Sequence, residues 1–294
     1  MLMKFWGIAA AATAIVTAAL GSGAQDPPQP AATPQSAVSA EDCAACHGDA
    51  VKAMSETRHA AVPGGCAACH GDVRQHLESA VSSGAPGPIV AISKTKPGAA
   101  NAICETCHTK AGQKHWTGSV HESRNVPCVT CHSLHPKGAA PEALLAKPQM
   151  ALCTGCHLQK KAQLMRSGHM PVREGKLQCT TCHNPHGTPN DKQLLQTSVN
   201  ENCYSCHAEK RGPFLWEHPP VRESCLNCHD AHGSIQDKLL KVKLPLLCQQ
   251  CHQTASHPGP AYPSMSRYAF NQGCLHCHPS VHGSVHPSGN RFFR

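Results

Sequence analysis

The chain is poor in the residues that usually build a hydrophobic core. Aromatic residues occupy 4% of its 294 positions, charged residues 15%, and glycine and proline together number 47 (23 and 24). That composition excludes a large core of packed side chains and long regular elements as the main source of order. Apolar runs are equally scarce. The longest, Phe5 to Leu20, has sixteen residues, short of the roughly 20 that a membrane-spanning helix needs. Lysines and arginines are scattered, and the lack of a concentrated basic patch argues against nucleic acid as a partner. No cysteine is spare for a disulfide or a nucleophile.

All twenty cysteines fall in ten copies of one motif, Cys-x-x-Cys-His. The cysteine pairs are Cys43 and Cys46, Cys66 and Cys69, Cys104 and Cys107, Cys128 and Cys131, Cys153 and Cys156, Cys179 and Cys182, Cys203 and Cys206, Cys225 and Cys228, Cys248 and Cys251, and Cys274 and Cys277. The histidines that follow are His47, His70, His108, His132, His157, His183, His207, His229, His252 and His278. This is the spacing of a c-type haem attachment site. Each thiol adds to one vinyl group of the porphyrin, and the adjacent imidazole reaches the iron. Zinc ribbons and thioredoxin-like proteins also use Cys-x-x-Cys, but neither requires a histidine after every second cysteine. Ten covalently bound haem c groups are therefore expected, and they leave little room for any role except moving electrons.

The leader fits that chemistry. Residues 1–24 read as a cleaved signal peptide, with Lys4, the apolar stretch Phe5 to Leu20 and the small residues Ser22-Gly23-Ala24. Residues 25–40, rich in proline and alanine, read as a flexible tether. Covalent haem attachment is completed outside the cytoplasm, in agreement with export. The formal charge of +8 becomes +7 without Lys4. Ten ferric haems at roughly −1 each, propionates included, bring the oxidised protein to about −3.

Successive motifs begin 23, 38, 24, 25, 26, 24, 22, 23 and 26 residues apart. A period this regular marks a repeat with one cofactor per step. The one long interval holds an insertion at Leu77 to Ala100, expected as a surface loop. A longer period, visible in the remaining histidines, groups the motifs into five two-haem units beginning at Cys43, Cys104, Cys153, Cys203 and Cys248. The expected fold is that of a multihaem cytochrome c: mostly irregular and elongated, with short α-helices such as Ala143 to Met150 and Leu158 to Arg166, little or no β-sheet, and the polypeptide wrapped around a chain of haems.

Function turns on the sixth ligand of each iron. Histidine on both faces closes a haem to substrates, whereas one open face admits small molecules. Of 23 histidines, thirteen are not in the motifs. The pair repeat selects His59, His76, His121, His135, His169, His186, His218, His232, His257 and His282 as distal ligands. His115, His276 and His286 are left over, with His115 an alternative to His121 and His286 to His282. Met54, Met165, Met170 and Met265 could supply a thioether ligand, although methionine more commonly fills irregular gaps.

The ten motifs, the His-x-x-His-Gly continuations at His183 to Gly187 and His229 to Gly233, and the run from His282 to Gly289 resemble the MtrA-like decahaem cytochromes of the DmsE family. The resemblance implies a periplasmic, outer-membrane-associated electron carrier rather than an enzyme. It implies bis-histidine haems in a staggered chain, in two pentahaem modules, residues 41–165 and 166–294. It also implies a porin-like outer-membrane β-barrel partner that sheathes the haem chain, and periplasmic or inner-membrane cytochromes as redox partners. An extracellular multihaem cytochrome is a further implied partner, with metal reduction or iron oxidation outside the cell as the terminal chemistry. Two other readings stand beside it: a soluble periplasmic electron shuttle, and a multihaem reductase with an open catalytic haem. The Cys-x-x-Cys-Lys site of multihaem nitrite reductases does not occur in the chain. A pyridine haemochrome assay is expected to give ten haems per chain, retained after denaturation; zinc in their place would refute the haem assignment.

Overall fold

The computed structural model describes residues 38–138, 141–166, 172–253 and 273–293. These belong to one unit, Val38–Arg294. The expected signal peptide, most of the tether, His169, His257, Met170 and Met265 lie outside the described residues, and the expected module boundary at 165/166 adjoins residues that do.

The Cys-x-x-Cys-His spacing is helical in its consequences. Residues i, i+3 and i+4 share one face of a helical turn, so both thiols and the imidazole leave the backbone on the same side. Helix α1 (Ala40–Ser55) carries the first motif. Its N-terminus is fixed by a capping box, in which the Ser39 hydroxyl accepts from Asp42 N–H and the Asp42 carboxylate accepts from Ser39 N–H at 2.9 Å. In each of the other nine motifs the histidine N–H donates to the carbonyl of the first cysteine at 2.9–3.1 Å, closing one turn. Three odd-numbered motifs end a short helix: α2 (Pro97–Glu105), α3 (Gln149–Thr154) and α4 (Val199–Tyr204) deliver Cys104, Cys153 and Cys203. Even-numbered motifs are a single turn, as at Cys128–Cys131 and Cys225–Asn227.

After three even-numbered motifs the chain returns in the same way. Ser133, Asn184 and Asp230 N–H donate to the carbonyls of Leu144, Gln193 and Leu239, while Ala146, Leu195 and Lys241 N–H donate to those of Cys131, Cys182 and Cys228. Each return turns on two consecutive left-handed residues: Ala143 and Leu144, Lys192 and Gln193, Lys238 and Leu239, all with φ between 52° and 57°. Non-glycine residues rarely adopt that conformation, and its recurrence at equivalent places marks a constraint that outweighs its cost. The helix expected over Ala143 to Met150 is absent for this reason. The chain is left-handed at Ala143 and Leu144, and Leu145 is extended. Leu158–Leu164 is helical as expected. The Leu77 to Ala100 insertion, expected as a loop, instead begins within a ten-residue helix, Arg74–Ser83, and ends in α2.

Strand pairing among the described residues is confined to four isolated bridges. The buried apolar side chains there are only Val73, Ala100, Trp116 and Leu164, and no large side chain is fully buried. So little burial cannot order a unit of this length by itself.

Buried asparagines tie the two motifs of a unit together. Asn101 Oδ1 accepts from Cys128 N–H at 2.8 Å, and Asn200 Oδ1 accepts from Cys225 N–H at 2.8 Å. Asn200 also donates to the carbonyls of Val221 and Arg222 at 2.9 and 3.0 Å. In the third unit Gln149 does this work, accepting from Thr180 N–H at 3.0 Å. Asn200→Ala leaves buried backbone groups unsatisfied and is expected to cost about 1–3 kcal/mol, read as a lower denaturant midpoint of the haem-loaded protein; an unchanged midpoint would rule out this tie.

Candidate haem-binding sites

The cysteines lie edge to edge along the chain. Within each two-motif unit the first cysteines meet: Cys43 with Cys66, Cys104 with Cys128, Cys153 with Cys179, Cys203 with Cys225, and Cys248 with Cys274 are within hydrogen-bonding reach. As free thiols, Cys128, Cys179 and Cys225 are drawn down to about 7 by the hydrogen bond they accept from their partners. The partners Cys104, Cys153 and Cys203 are pushed up by donating it. Between units the second cysteines are electrostatic neighbours: Cys69 with Cys107, Cys131 with Cys156, Cys182 with Cys206, and Cys228 with Cys251. The ten motifs thus follow one another in space as in sequence, joined alternately through first and second cysteines.

Eight motif histidines face a second histidine at nearly one distance. The ring centres are 6.2 Å apart for His47 and His76, 6.3 Å for His70 and His135, 6.0 Å for His108 and His59, and 6.0 Å for His132 and His186. They are 6.1 Å apart for His157 and His121, 6.2 Å for His183 and His232, 6.1 Å for His229 and His282, and 6.2 Å for His252 and His218. That gap is too wide for ring contact and fits one metal ion. Metal–nitrogen bonds of about 2.0 Å, with each nitrogen about 1.15 Å from its ring centre, place the two centres about 6.3 Å apart. The donors at each site are two thiols beside an imidazole, with a second imidazole opposite, a set suited to a covalently held haem rather than to tetrahedral zinc. No cluster of three or more histidine, cysteine or acidic side chains forms a metal-ion site among the described residues.

Backbone carbonyls orient the rings. Nδ1 of the motif histidines His70, His132, His183 and His229 donates to the carbonyls of Val90, Ala143, Lys192 and Lys238 at 2.8–2.9 Å; His278 does so to Arg291. A carbonyl can only accept, so Nδ1 carries the proton and Nε2 keeps its lone pair for the iron. The left-handed residues Ala143, Lys192 and Lys238 aim those carbonyls inward. Among the facing histidines, His76, His121 and His135 donate to Gly87, Pro185 and Ala50 at 2.9, 2.8 and 3.3 Å. His59 and His218 have a buried Nδ1 with no partner.

Eight of the ten expected distal histidines are thus brought opposite a motif histidine, and the other two, His169 and His257, are outside the described residues. His115 and His286 are not needed as substitutes, since His121 and His282 face His157 and His229. His115 instead packs its carbonyl against Gly187, where a Cβ would overlap it. The orienting carbonyls escaped sequence reasoning, although a signal exists: an acidic residue followed three positions later by leucine, at Glu142 and Leu145, Asp191 and Leu194, and Asp237 and Leu240.

The facing histidines also join units. His59, His121 and His218 reach forward to an odd-numbered motif of the next unit, and His135, His186, His232 and His282 reach back to an even-numbered motif of the previous one. Among the eight described pairs, only that of His76, just ahead of the insertion, lies within one unit.

Two family models match the chain. One is the doubled CXXCH motif, at residues 169–212 and 218–257; the other is the NrfB-like cytochrome c-type protein, at residues 66–156. The chain is 42% identical over 199 residues to the multiheme cytochrome MtrA of Shewanella baltica, an alignment covering 64% of this chain and 59% of that one. The chain therefore spans less than two thirds of that relative's length. It is also 32% identical over 79 residues to the cytochrome c-type protein NrfB of Haemophilus influenzae, covering 26% of this chain and 34% of that protein.

Burial, more than any neighbouring charge, lowers the pKa of His59, His186, His218 and His282 below the ordinary imidazole value. They stay neutral in the folded state where the unfolded chain takes up protons. The unfolded state therefore binds more protons, and stability is expected to fall as the pH drops below about 6.5. A denaturant midpoint that held constant from neutral to acidic pH would contradict this.

Proposed function

Because the chain belongs to the multihaem c-type cytochromes, we propose that it is a decahaem electron conduit of the outer membrane, seated in a β-barrel partner. The carrying observation is the unbroken succession of sites, joined cysteine to cysteine, with an imidazole on each side at all eight sites whose two rings are described. Bound haem supplies the one-electron redox chemistry. The protein's part is to fix spacing, orientation and electronic environment. In this reading the twenty motif cysteines attach ten haems, the ten motif histidines are proximal ligands, and His59, His76, His121, His135, His169, His186, His218, His232, His257 and His282 close the opposite faces. A closed iron exchanges electrons without binding substrate, which favours a carrier over an enzyme.

The membrane assignment draws on the likeness to MtrA; among the described residues no helix is long and apolar enough to cross a bilayer. A haem chain sheathed by a barrel needs no such helix. The periplasmic location, the signal peptide at 1–24, the redox partners on either side and the metal- or iron-linked terminal chemistry belong to the same proposal. The NrfB-like match over residues 66–156 favours one second reading, a periplasmic shuttle with no barrel.

Solubilised outer membranes are expected to yield the protein together with a large β-barrel, and a deletion strain without a paralogue is expected to lose electron exchange with extracellular acceptors or donors. Recovery in the soluble periplasmic fraction alone would favour the shuttle. Rapid carbon monoxide binding by the reduced protein would reveal an open iron and sink the closed-haem reading.

A further inference from the structure

The eight facing pairs differ in the angle between their rings. Six are close to parallel, from 14° to 26°. His59 and His108 stand at 46°, and His121 and His157 are crossed at 70°. The crossed pair belongs to the fifth motif, at the centre of the chain.

A local cause is visible. His121 is held by the hydrogen bond from its Nδ1 to the carbonyl of Pro185, at 2.8 Å and 64 residues away in sequence. Pro185 sits between His183, a motif histidine of the sixth site, and His186, which faces His132 of the fourth. The turn is pinned from both sides. Asn184 Nδ2 donates to the Gly112 carbonyl at 3.0 Å, and Asn184 Oδ1 accepts from His186 N–H at 3.0 Å. Gly187, at φ +102°, lies so close to the His115 carbonyl that a Cβ would collide with it. His59 and His218, the other described histidines that reach forward, have no partner on Nδ1.

We propose that Pro185 is a positioning residue: its carbonyl rotates His121 across His157, making the fifth haem electronically distinct from its neighbours. This rests on the reading of the facing histidines as axial ligands. Ring orientation matters because each imidazole π-system acts on one of two iron d orbitals. Parallel rings act on the same orbital, split the pair and stabilise the ferric state. Crossed rings act on both, leave the pair nearly degenerate and withdraw that stabilisation, which raises the reduction potential. Axial ligation and hydrogen bonding are among the levers by which a protein tunes haem.

Electron paramagnetic resonance of the fully oxidised, haem-loaded protein is the test. At least one haem equivalent, that of the crossed pair, is expected to give a strongly anisotropic low-field low-spin signal, apart from the rhombic signals of the near-parallel pairs. Its absence would overturn the proposal. His121→Ala is expected to remove one haem equivalent of that signal and leave the rhombic set; a low-field signal of undiminished intensity would overturn the assignment. If His121→Ala does not accumulate, Asn184→Ala decides, since it frees the turn without removing an iron ligand. The low-field signal should move toward the rhombic set and its midpoint potential should fall, and an unchanged signal and potential would overturn the role of Pro185. Haem content and spin state, read on the same samples, separate the two levels. A full complement of low-spin haems without the low-field signal sinks only this inference, whereas missing or high-spin haems sink the closed-haem reading beneath it.

Discussion

The structure depends on the separation between two imidazoles, one fixed beside a pair of cysteines and the other lent by a neighbouring unit. Apolar side chains contribute little, since those buried among the described residues are Val73, Ala100, Trp116 and Leu164. The facing pairs at 6.0–6.3 Å are where the chain is drawn together. In seven of the eight described pairs the rings come from different units. A haem held at such a place would be bonded to one unit through its thioethers and to the next through its iron, and so would do the work of a core residue and a cross-link together.

That arrangement accounts for the irregular backbone. Regular elements serve to satisfy main-chain groups while presenting an apolar face, and here there is little apolar protein to face. The backbone is arranged to aim donors and acceptors instead. The left-handed pairs at Ala143, Lys192 and Lys238 point carbonyls at His132, His183 and His229, and short helices deliver the thiols. Conformations that would be liabilities in a conventional core recur here because each fixes one ring.

The sequence announced the chemistry more fully than the geometry. The motif spacing and the histidine repeat are local, and His59, His121, His135, His186, His218, His232 and His282 could be singled out by counting. Which ring meets which was not readable, because the forward and backward reach is a relation between units with no marker in the spacing. The expected helix at Ala143 to Met150 failed because helix-forming residues were overridden by the hydrogen bond to His132. The insertion looked like a loop from its glycines and prolines, yet its first seven residues belong to the helix that carries His76. The angle between His121 and His157 depends on a carbonyl 64 residues from His121, beyond the reach of pattern reading.

His76 makes the first unit different in kind from those that follow. The second unit borrows a ring from each side and lends one in each direction, and the other described joints are built on the same terms. At the first unit's odd-numbered site the Arg74–Ser83 helix supplies the facing ring from within the unit. The helix thus plays the part that a capping repeat plays in a solenoid. Such a chain can grow or shrink in its middle by whole pairs of haems, each splice restoring its own joints. The unit that carries its own ring is the part that cannot be traded for another repeat.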